Sequence, residues 1–261
     1  MLLNRNGVLM PDSLKGFVVG TVTKRVDWTN NLFSLHIDAE IDPFQAGQFI
    51  KLALKGQDGQ WVRRAYSLVN APSQAGAEVL VIEIPDGGLS PFLGDLNVGD
   101  EVFVTQQAAG FMTIAEIPKP SKSLWMLSTG TAIGPFISML EQERDLDRFE
   151  DIVLVHAVRS APELVYQQQI EVIKQRYGSR FRLCTIVSRE IHDGSLRGRI
   201  PALLQSGELE TKLGLERQTD SFFYLCGNPE MVRDTKLCLE GLGYTKHLRR
   251  KPGQYASENY W

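Results

Sequence analysis

The spacing of apolar residues along this chain changes once, at a segment rich in proline, lysine and serine that spans residues 117–123. Before this segment, short stretches of strand-forming residues alternate with Gly, Pro, Asn and Asp, which is typical of strands joined by turns. After it, short apolar runs alternate with longer segments of helical period. The change predicts two domains of different class, with residues 117–123 as their linker and the boundary between residues 118 and 119.

The first 118 residues predict a small antiparallel β-barrel. Six stretches have the composition of strands, and one short helix is expected near Ser90. The strands are predicted at residues 16–27, 32–37, 48–54, 61–69, 78–84 and 101–106.

Residues 119–261 predict a parallel five-stranded sheet covered by helices on both faces. Four of its strands are predicted at residues 124–128, 151–158, 181–187 and 222–226. The helices are predicted at residues 135–143, 162–177, 200–206 and 229–241. Ligands of such sheets bind at the carboxyl ends of the strands, so the residues that follow each strand are the candidates for a site.

Composition argues against several classes of function. A net charge of −3 does not favour nucleic acid as a partner, and no run of about eighteen apolar residues suits a membrane span. The beginning of the chain lacks the pattern of a signal peptide, which favours the cytoplasm. Three scattered cysteines cannot hold an iron–sulfur cluster, and the four histidines show no paired spacing, so no metal is expected and each histidine is interpreted as structural.

Three strand-to-helix junctions in the second half share one construction. Residues 127–135 (LSTGTAIGP) place Gly and Thr before a helix, Ser160 precedes Ala-Pro-Glu, and Asn228 precedes Pro-Glu. Ser160 and Asn228 are expected to cap helices. Free amides and the positive end of the helix dipole at such junctions suit phosphates or carboxamides, although each junction alone is also typical of an ordinary cap.

Two features stand out in the barrel half. Arg64 and Tyr66 alternate with Ala65 and Ser67 along one predicted strand, so a guanidinium and an aromatic ring share one face. Such a pair could bind a pyrophosphate and stack on a flat ring, or could be an exposed Arg beside a Tyr. The second feature is the segment DGGLSP at residues 86–91, where Ser90 is expected to cap a short helix and the glycines allow close approach of a phosphate.

Four segments, RAYS, GGLSPFL, GTAIGP and CGNPEM, occur in this order, and with them the chain resembles the ferredoxin–NADP+ reductase family. The resemblance extends from about residue 16 to 261 and is nearest to the bacterial branch of flavodoxin/ferredoxin reductases. It departs from the plant-type pattern in the order of Ala and Gly in GTAIGP and in a tail that continues through Tyr260 to Trp261. Residues 1–14 have no counterpart.

The resemblance implies an FAD-dependent oxidoreductase that transfers hydride between NADP(H) and FAD, and single electrons between FAD and ferredoxin or flavodoxin. It implies an FAD-binding barrel at residues 1–118 and an NADP-binding domain at residues 119–261 whose tail folds back on FAD. Residues implied to bind FAD are Arg64, Ala65, Tyr66, Ser67, Gly88, Leu89, Ser90, Thr131, Tyr260 and Trp261. Residues implied to bind NADP are Gly130, Arg159, Arg189, Arg199, Cys226 and Gly227. Tyr66, Ser67 and Cys226 are implied to be catalytic.

Charge supports NADP over NAD, because Arg159 and Arg189 follow predicted strands and Arg197 and Arg199 come soon after. A basic segment at residues 249–251 is expected to attract an acidic electron carrier. Two other functions stay open. One is an NAD(P)H-dependent reductase component or flavin reductase that serves another acceptor, and the other is a non-catalytic flavoprotein that senses redox state.

Overall fold

A computed structural model describes residues 14–142 and 145–259, with the side chain of Asn259 left out. The chain divides into two compact units, and the boundary along the chain lies between Phe111 and Met112. This boundary is earlier than the one expected between residues 118 and 119. Each unit has its own apolar core. Among the described residues no helix has the length and apolar character that crossing a membrane requires.

The first unit is a six-stranded antiparallel sheet that curls on itself. Its strands are β1 (Phe17–Asp27), β2 (Leu32–Asp38), β3 (Phe49–Lys55), β4 (Trp61–Ser67), β5 (Ala77–Ile82) and β6 (Glu101–Thr105), and helix α1 (Ser90–Gly94) follows β5. The strand order is β4-β3-β6-β1-β2-β5. The edge strands approach each other through a bridge between Leu68 and Val79, so the predicted antiparallel barrel is confirmed as a curled, nearly closed sheet.

The core of the first unit explains this curl. Alternate residues of the strands point inward, among them Leu35, Ile50, Leu52, Val79 and Val104, each of which is almost completely buried. Burial of the apolar face of the sheet stabilises the unit by about 25 cal/mol for each Å² of apolar surface removed from water. The sheet therefore closes around its own apolar face.

The second unit is a parallel sheet with helices. Its strands are β7 (Ser123–Thr129), β8 (Asp151–Val158), β9 (Phe181–Val187), β10 (Ser221–Gly227) and β11 (Tyr255–Asn259), in the order β11-β10-β7-β8-β9. Its helices are α2 (Gly134–Glu141), α3 (Gln167–Tyr177), α4 (Ile200–Ser206), α5 (Glu208–Leu213) and α6 (Pro229–Gly241). The predicted five-stranded sheet is confirmed, and its fifth strand is the C-terminal segment that pairs with β10.

The segment predicted to be a linker is not free. Ile114 and Ile117 are buried, and the guanidinium of Arg148 donates hydrogen bonds to the carbonyls of Ile114, Ile117 and Pro118 at 3.3, 3.1 and 3.1 Å. A proline-rich composition indicated a spacer, but these bonds attach the segment to the second unit.

The helix predicted at residues 162–177 is shorter. Ala161–Glu163 form a 3-10 turn with a capping box between Ser160 and Glu163, so Ser160 caps this turn and not α3. The chain then passes through Tyr166, whose φ of 61° lies in the left-handed region, and α3 begins only at Gln167. Tyr166 is buried, so tertiary packing outweighs its local preference.

Candidate functional site

In the first unit, β4 carries the Arg-Ala-Tyr-Ser segment along an edge of the sheet. Arg64 and Tyr66 lie opposite Leu52 and Ile50 of β3, so they share the inward face of the sheet, as the period of the strand predicts. Arg64 and Ala65 are exposed, Tyr66 is half-buried, and Ser67 is buried where the strand ends. One edge strand thus presents a cation and an aromatic ring side by side.

The turn before α1 approaches the same strand. A Cβ atom added to Gly88 would lie 3.0 Å from Nη2 of Arg64 and 3.5 Å from Cγ1 of Val62. Glycine lets the guanidinium lie close above this turn without a shift of the arginine side chain. The exposed backbone of Gly88 and the guanidinium of Arg64 therefore form an open cradle of hydrogen-bond donors, which we call the barrel cradle, and its chemistry fits a pyrophosphate.

The cap expected at Ser90 is wrong. Ser90 is the first residue of α1, the cap position belongs to Leu89, and no side-chain hydrogen bond caps this helix. The hydroxyl of Ser90 instead accepts a hydrogen bond from the amide of Ile84 at 3.1 Å. Ser90 and Leu89 are both buried, so they shape the turn that carries Gly88.

Tyr66 keeps its phenol proton. Burial raises the pKa of Tyr66 to about 12, although the nearby Arg64 opposes this shift. Its ring packs beside the apolar core of the first unit. A neutral, partly exposed ring at this place can stack on a flat heteroaromatic group, and it does not exchange protons near neutral pH.

In the second unit, the ends of β7 and β10 are fastened together. The amide of Asn228 donates a hydrogen bond to Oγ1 of Thr129 at 2.8 Å. Gly227 has a φ of 133°, and a Cβ atom on it would lie 3.0 Å from the nitrogen and 3.1 Å from the oxygen of Thr129. Asn228 accepts hydrogen bonds from Glu230 and Met231, so the predicted cap of α6 is confirmed.

After Thr129 the chain turns directly into a helix. Gly130–Ile133 form a 3-10 turn that leads into α2, and Thr131 is buried. The predicted residues Gly130 and Thr131 therefore lie beside Cys226 and Gly227, since β7 and β10 are paired up to Ser128 and Cys226. We call this group of strand-end residues the sheet cradle, and its backbone amides and glycines suit a carboxamide or phosphate.

Cys226 is completely buried at the end of β10. Burial, and to a smaller extent the negative charge of Glu258 on the paired strand β11, raise the pKa of its thiol far above the usual range. The thiol stays protonated and is not a thiolate nucleophile. Its predicted place at a strand end beside Gly227 is observed, and its catalytic role stays a prediction.

Sequence reasoning missed His156 on β8, which it interpreted only as structural. His156 is fully buried, and its Nε2 lies 3.3 Å from the carbonyl oxygen of Gly130. Burial lowers the pKa of His156 to about 4, so the ring is neutral. No sequence signal marks the residue beyond its place near the end of a strand, since the partner is a backbone atom far along the chain.

The ends of β8 and β9 carry the predicted arginines. The amide of Arg189 donates to the carbonyl of Arg159 at 3.0 Å, which places the two residues side by side. A parallel bridge between Ile186 and Leu196 places the segment around Leu196 alongside the end of β9. Arg197 and Arg199 therefore follow at the carboxyl end of the sheet, where Arg159 and Arg189 also lie. All four arginines are exposed. The second unit therefore gathers four cations at one edge.

Two expectations concern the C-terminus. Tyr260 and Trp261 lie outside the described residues, so their contact with FAD stays a prediction. In the basic segment, Arg249 makes a bidentate ion pair with Glu116, at 3.0 Å from Nε to Oε2 and 2.6 Å from Nη2 to Oε1. Arg250 lies beside it in a tight turn closed by Leu248 and Lys251.

Comparison with known families matches both units. Residues 21–108 match an oxidoreductase FAD-binding domain, and residues 126–237 match an oxidoreductase NAD-binding domain. The first match contains the barrel cradle, and the second contains the sheet cradle with Arg159, Arg189 and Arg199.

Two relatives that match nearly the whole chain carry the same name. The chain is 51% identical over 247 residues to a flavodoxin/ferredoxin–NADP reductase of Escherichia coli (strain K12), which covers 94% of this chain and 99% of that protein. It is 45% identical over 255 residues to a protein of the same name from Buchnera aphidicola subsp. Schizaphis graminum (strain Sg), with the same coverage of both.

A solved structure agrees with them. The crystal structure of a ferredoxin NADP+ reductase from Neisseria gonorrhoeae with bound FAD and NADP superposes with a TM-score of 0.86 at 32% identity, covering 94% of this chain and 99% of that one. These matches extend over both units and agree with the FAD-binding and NAD-binding domains. The chain belongs to the flavodoxin/ferredoxin–NADP reductase family.

Proposed function

We propose that this chain is a flavodoxin/ferredoxin–NADP reductase, which transfers hydride between NADP(H) and FAD and single electrons between FAD and ferredoxin or flavodoxin. The observation that carries the proposal is the 51% identity to a reductase of this name over 94% of the chain. The two cradles agree with it, because one suits a pyrophosphate and the other suits a nicotinamide nucleotide.

FAD fits the barrel cradle. Arg64 would bind the pyrophosphate with its guanidinium. Gly88 has no side chain to crowd the guanidinium of Arg64, so the phosphates could approach both residues. Tyr66 would stack on the isoalloxazine, and Ser67, buried at the end of β4, would lie near its reactive edge. Ala65, Leu89, Ser90 and Thr131 complete the proposed contacts, with Tyr260 and Trp261 beyond the described residues.

NADP(H) fits the second unit. Arg159, Arg189 and Arg199 are exposed cations at one end of the sheet, and they would bind the phosphate that distinguishes NADP from NAD. Gly130, Gly227 and Cys226 would bind the nicotinamide half.

The protein side chains of the site contribute position rather than proton transfer. When bound, the flavin accepts the two electrons of a hydride and releases them one at a time, a change that a nicotinamide alone does not make. One NADPH thus reduces two single-electron acceptors and releases one proton. Tyr66 and Cys226 keep their own protons, since burial raises the pKa of both groups. Both are suited to orient the rings and to exclude water.

The partner is proposed to be an acidic electron carrier that binds transiently through charge. Arg250 and Lys251 are exposed cations in the turn that follows Leu248, itself about half exposed. Opposite charges raise association rates without requiring a tight complex. The three cysteines are free thiols, which agrees with the reducing cytoplasm as the proposed location.

The experiment compares wild-type enzyme with Arg189→Ala, with NADPH and NADH as donors and ferredoxin, flavodoxin or free flavin as acceptor. Arg197→Ala is the matched control, because it removes the same charge from the same end of the sheet. We expect kcat/KM for NADPH to fall more than about tenfold in Arg189→Ala while that for NADH stays nearly constant, since charge-assisted hydrogen bonds contribute about 1.5–3 kcal/mol.

The outcomes separate the candidate functions. Equal losses for NADPH and NADH would show that Arg189 is structural, and an equal loss in Arg197→Ala would show a general effect of charge. Release of reduced flavin during turnover would indicate a flavin reductase. A bound flavin that NADPH does not reduce within seconds would indicate a redox-sensing protein without catalytic activity.

A further inference from the structure

His156 is a polar residue in a strand that is otherwise apolar on the same face. It lies on β8, two residues from Leu154 and from Val158, and all three are buried. In the neighbouring strands it is paired with Ser128 of β7 and Thr185 of β9. A leucine or isoleucine at this place would continue the apolar face of β8, so packing along this strand does not account for an imidazole.

The hydrogen-bond partners of His156 define its state. A carbonyl oxygen only accepts hydrogen bonds, and Nε2 lies 3.3 Å from the carbonyl oxygen of Gly130, so Nε2 carries the proton. Because burial keeps the ring neutral, Nδ1 carries none. Within residues 14–142 and 145–259, Nδ1 has no hydrogen-bond partner. The protein therefore leaves one buried ring nitrogen unpaired, which is unfavourable, while it keeps the bond to Gly130.

The bond to Gly130 fixes the orientation of a peptide plane. The carbonyl of Gly130 and the N–H of Thr131 belong to one planar trans peptide unit, in which they point in opposite directions. While Nε2 of His156 holds the carbonyl, the N–H of Thr131 points away from His156. Gly130 has a φ of 56°. Glycine adopts positive and negative φ about equally, so an outside contact is needed to hold the turn in this conformation.

We propose that His156 is a positioning residue for the nicotinamide half of NADP(H). Its Nε2–H holds the carbonyl of Gly130 and thereby orients the Thr131 N–H and the sheet cradle toward the nicotinamide, while His156 itself touches no substrate. The inference rests on the proposed function, because it requires that the sheet cradle binds the nicotinamide.

The test uses FAD-loaded enzyme with two substitutions of His156. His156→Leu fills a similar volume but lacks an N–H, whereas the side-chain amide of His156→Gln can again donate to Gly130. Each variant is titrated with NADP+, and the change of the flavin absorption spectrum is recorded. Each is also titrated by calorimetry with 2′,5′-ADP, which carries the extra phosphate but no nicotinamide. The kcat and KM for NADPH are measured with ferricyanide as acceptor.

We expect His156→Leu to lose most of the spectral change caused by NADP+ and about tenfold in kcat, because misplacement of a bound reactant lowers the rate of the chemical step. Its affinity for 2′,5′-ADP and its KM should stay within about twofold of the wild-type values, since the arginines are untouched. His156→Gln should restore the spectral change and most of kcat. If His156→Leu does not fold with FAD, His156→Met, which also lacks an N–H, takes its place.

Several results would overturn the inference. One is wild-type behaviour of the leucine variant. Another is an equal loss of 2′,5′-ADP binding, which would indicate general damage to the second unit, and a third is failure of His156→Gln to restore kcat. A wild-type enzyme that neither binds 2′,5′-ADP nor oxidises NADPH would instead contradict the proposed function, and the inference with it.

Discussion

The barrel cradle and the sheet cradle are proposed to bind nucleotides by different means. The barrel cradle uses an exposed guanidinium above an exposed glycine, so its main group is a flexible side chain in contact with water. The sheet cradle is built from backbone at the ends of β7 and β10, and Thr129 and His156 hold it through hydrogen bonds. A charged side chain can adapt to a small change, whereas a backbone turn held by a few contacts cannot. We therefore expect the sheet cradle to be the more sensitive to substitution.

The strongest test of this difference is Gly227→Ala. The new Cβ would overlap Oγ1 of Thr129 and lie 3.0 Å from its backbone nitrogen, in a residue whose φ is already 133°, so contact and strain act together. We expect the affinity for NADP+ to fall by at least about a hundredfold, with the FAD content little changed because Arg64 and Gly88 lie in the other unit. Calorimetry and the flavin absorbance measure the two effects.

Gly243→Ala is the matched control for this substitution. Gly243 also has a positive φ, of 89°, but no atom lies within 4 Å of a Cβ added there. The control should lose some thermal stability and keep its affinity for NADP+ within about twofold. An equal loss of affinity in both variants would show that backbone strain, and not the contact with Thr129, is responsible.

The barrel cradle should respond less strongly to Arg64→Ala. Loss of a guanidinium from a pyrophosphate removes charge-assisted hydrogen bonds, but exposure to water reduces their contribution, so we expect FAD to bind about tenfold more weakly. Gly88→Ala should weaken FAD only a few-fold, because the end of the Arg64 side chain can shift away from the new Cβ. Fluorescence of released flavin gives the affinities.

Arg63→Ala is the control for this pair. Arg63 is an exposed arginine that lies opposite Ala53, on the other face of β4 from Arg64. It should keep the wild-type affinity for FAD. If Arg63→Ala and Arg64→Ala weakened FAD equally, the general positive charge of the strand, and not the cradle, would hold the phosphate.

Acid pH tests the buried support of the sheet cradle. Histidine in an unfolded chain has a pKa near 6.5, whereas burial lowers the pKa of His156 to about 4. Between these values the unfolded chain binds a proton that the folded chain does not, so the free energy of unfolding falls as the pH decreases from about 6.5 to 4. The loss from this residue is about 2 kcal/mol at pH 5 relative to neutral pH.

Thermal melting of wild type and His156→Leu at neutral pH and near pH 5 measures this contribution. The wild type should lose more stability on acidification than the leucine variant, with FAD in excess in every sample. Parallel losses in the two proteins would show that other groups cause the acid sensitivity and that the ring of His156 is not kept neutral by burial.

Sequence patterns predicted those features that depend on local residue type. Apolar runs identify β7 to β10, and the capping preference of asparagine identifies the start of α6. The sequence did not locate the edge strand β11, because Tyr255 and Ala256 are its only apolar residues. This strand is recognised only from its backbone pairing with β10. The bond of His156 to Gly130 and the left-handed Tyr166 depend on contacts far apart in sequence or on packing, which the pattern of a single chain does not encode.

The smallest expected effect concerns the basic segment, where two neighbouring arginines differ. Arg249 is engaged in a bidentate pair with Glu116, and this hydrogen-bonded partner lowers the pKa of the Glu116 carboxyl. The charge of Arg249 is thus offset locally, whereas Arg250 in the same turn is exposed without such a neighbour in the described ion pairs. An acidic carrier should therefore be attracted more by Arg250 than by Arg249.

We expect Arg250→Ala to raise KM for ferredoxin or flavodoxin about two- to threefold at low ionic strength, and the effect should vanish at high salt. Replacement of both partners, Arg249→Ala together with Glu116→Gln, should change KM less, because the two charges removed already balance each other. Glu116→Gln, which frees the charge of Arg249, should lower KM slightly. Steady-state kinetics at two ionic strengths, with ferricyanide as an acceptor that needs no docking, separate attraction of the carrier from damage to the flavin site. Equal effects of Arg250→Ala and of the double variant at Arg249 and Glu116 would show that the ion pair with Glu116 does not decide which arginine attracts the carrier.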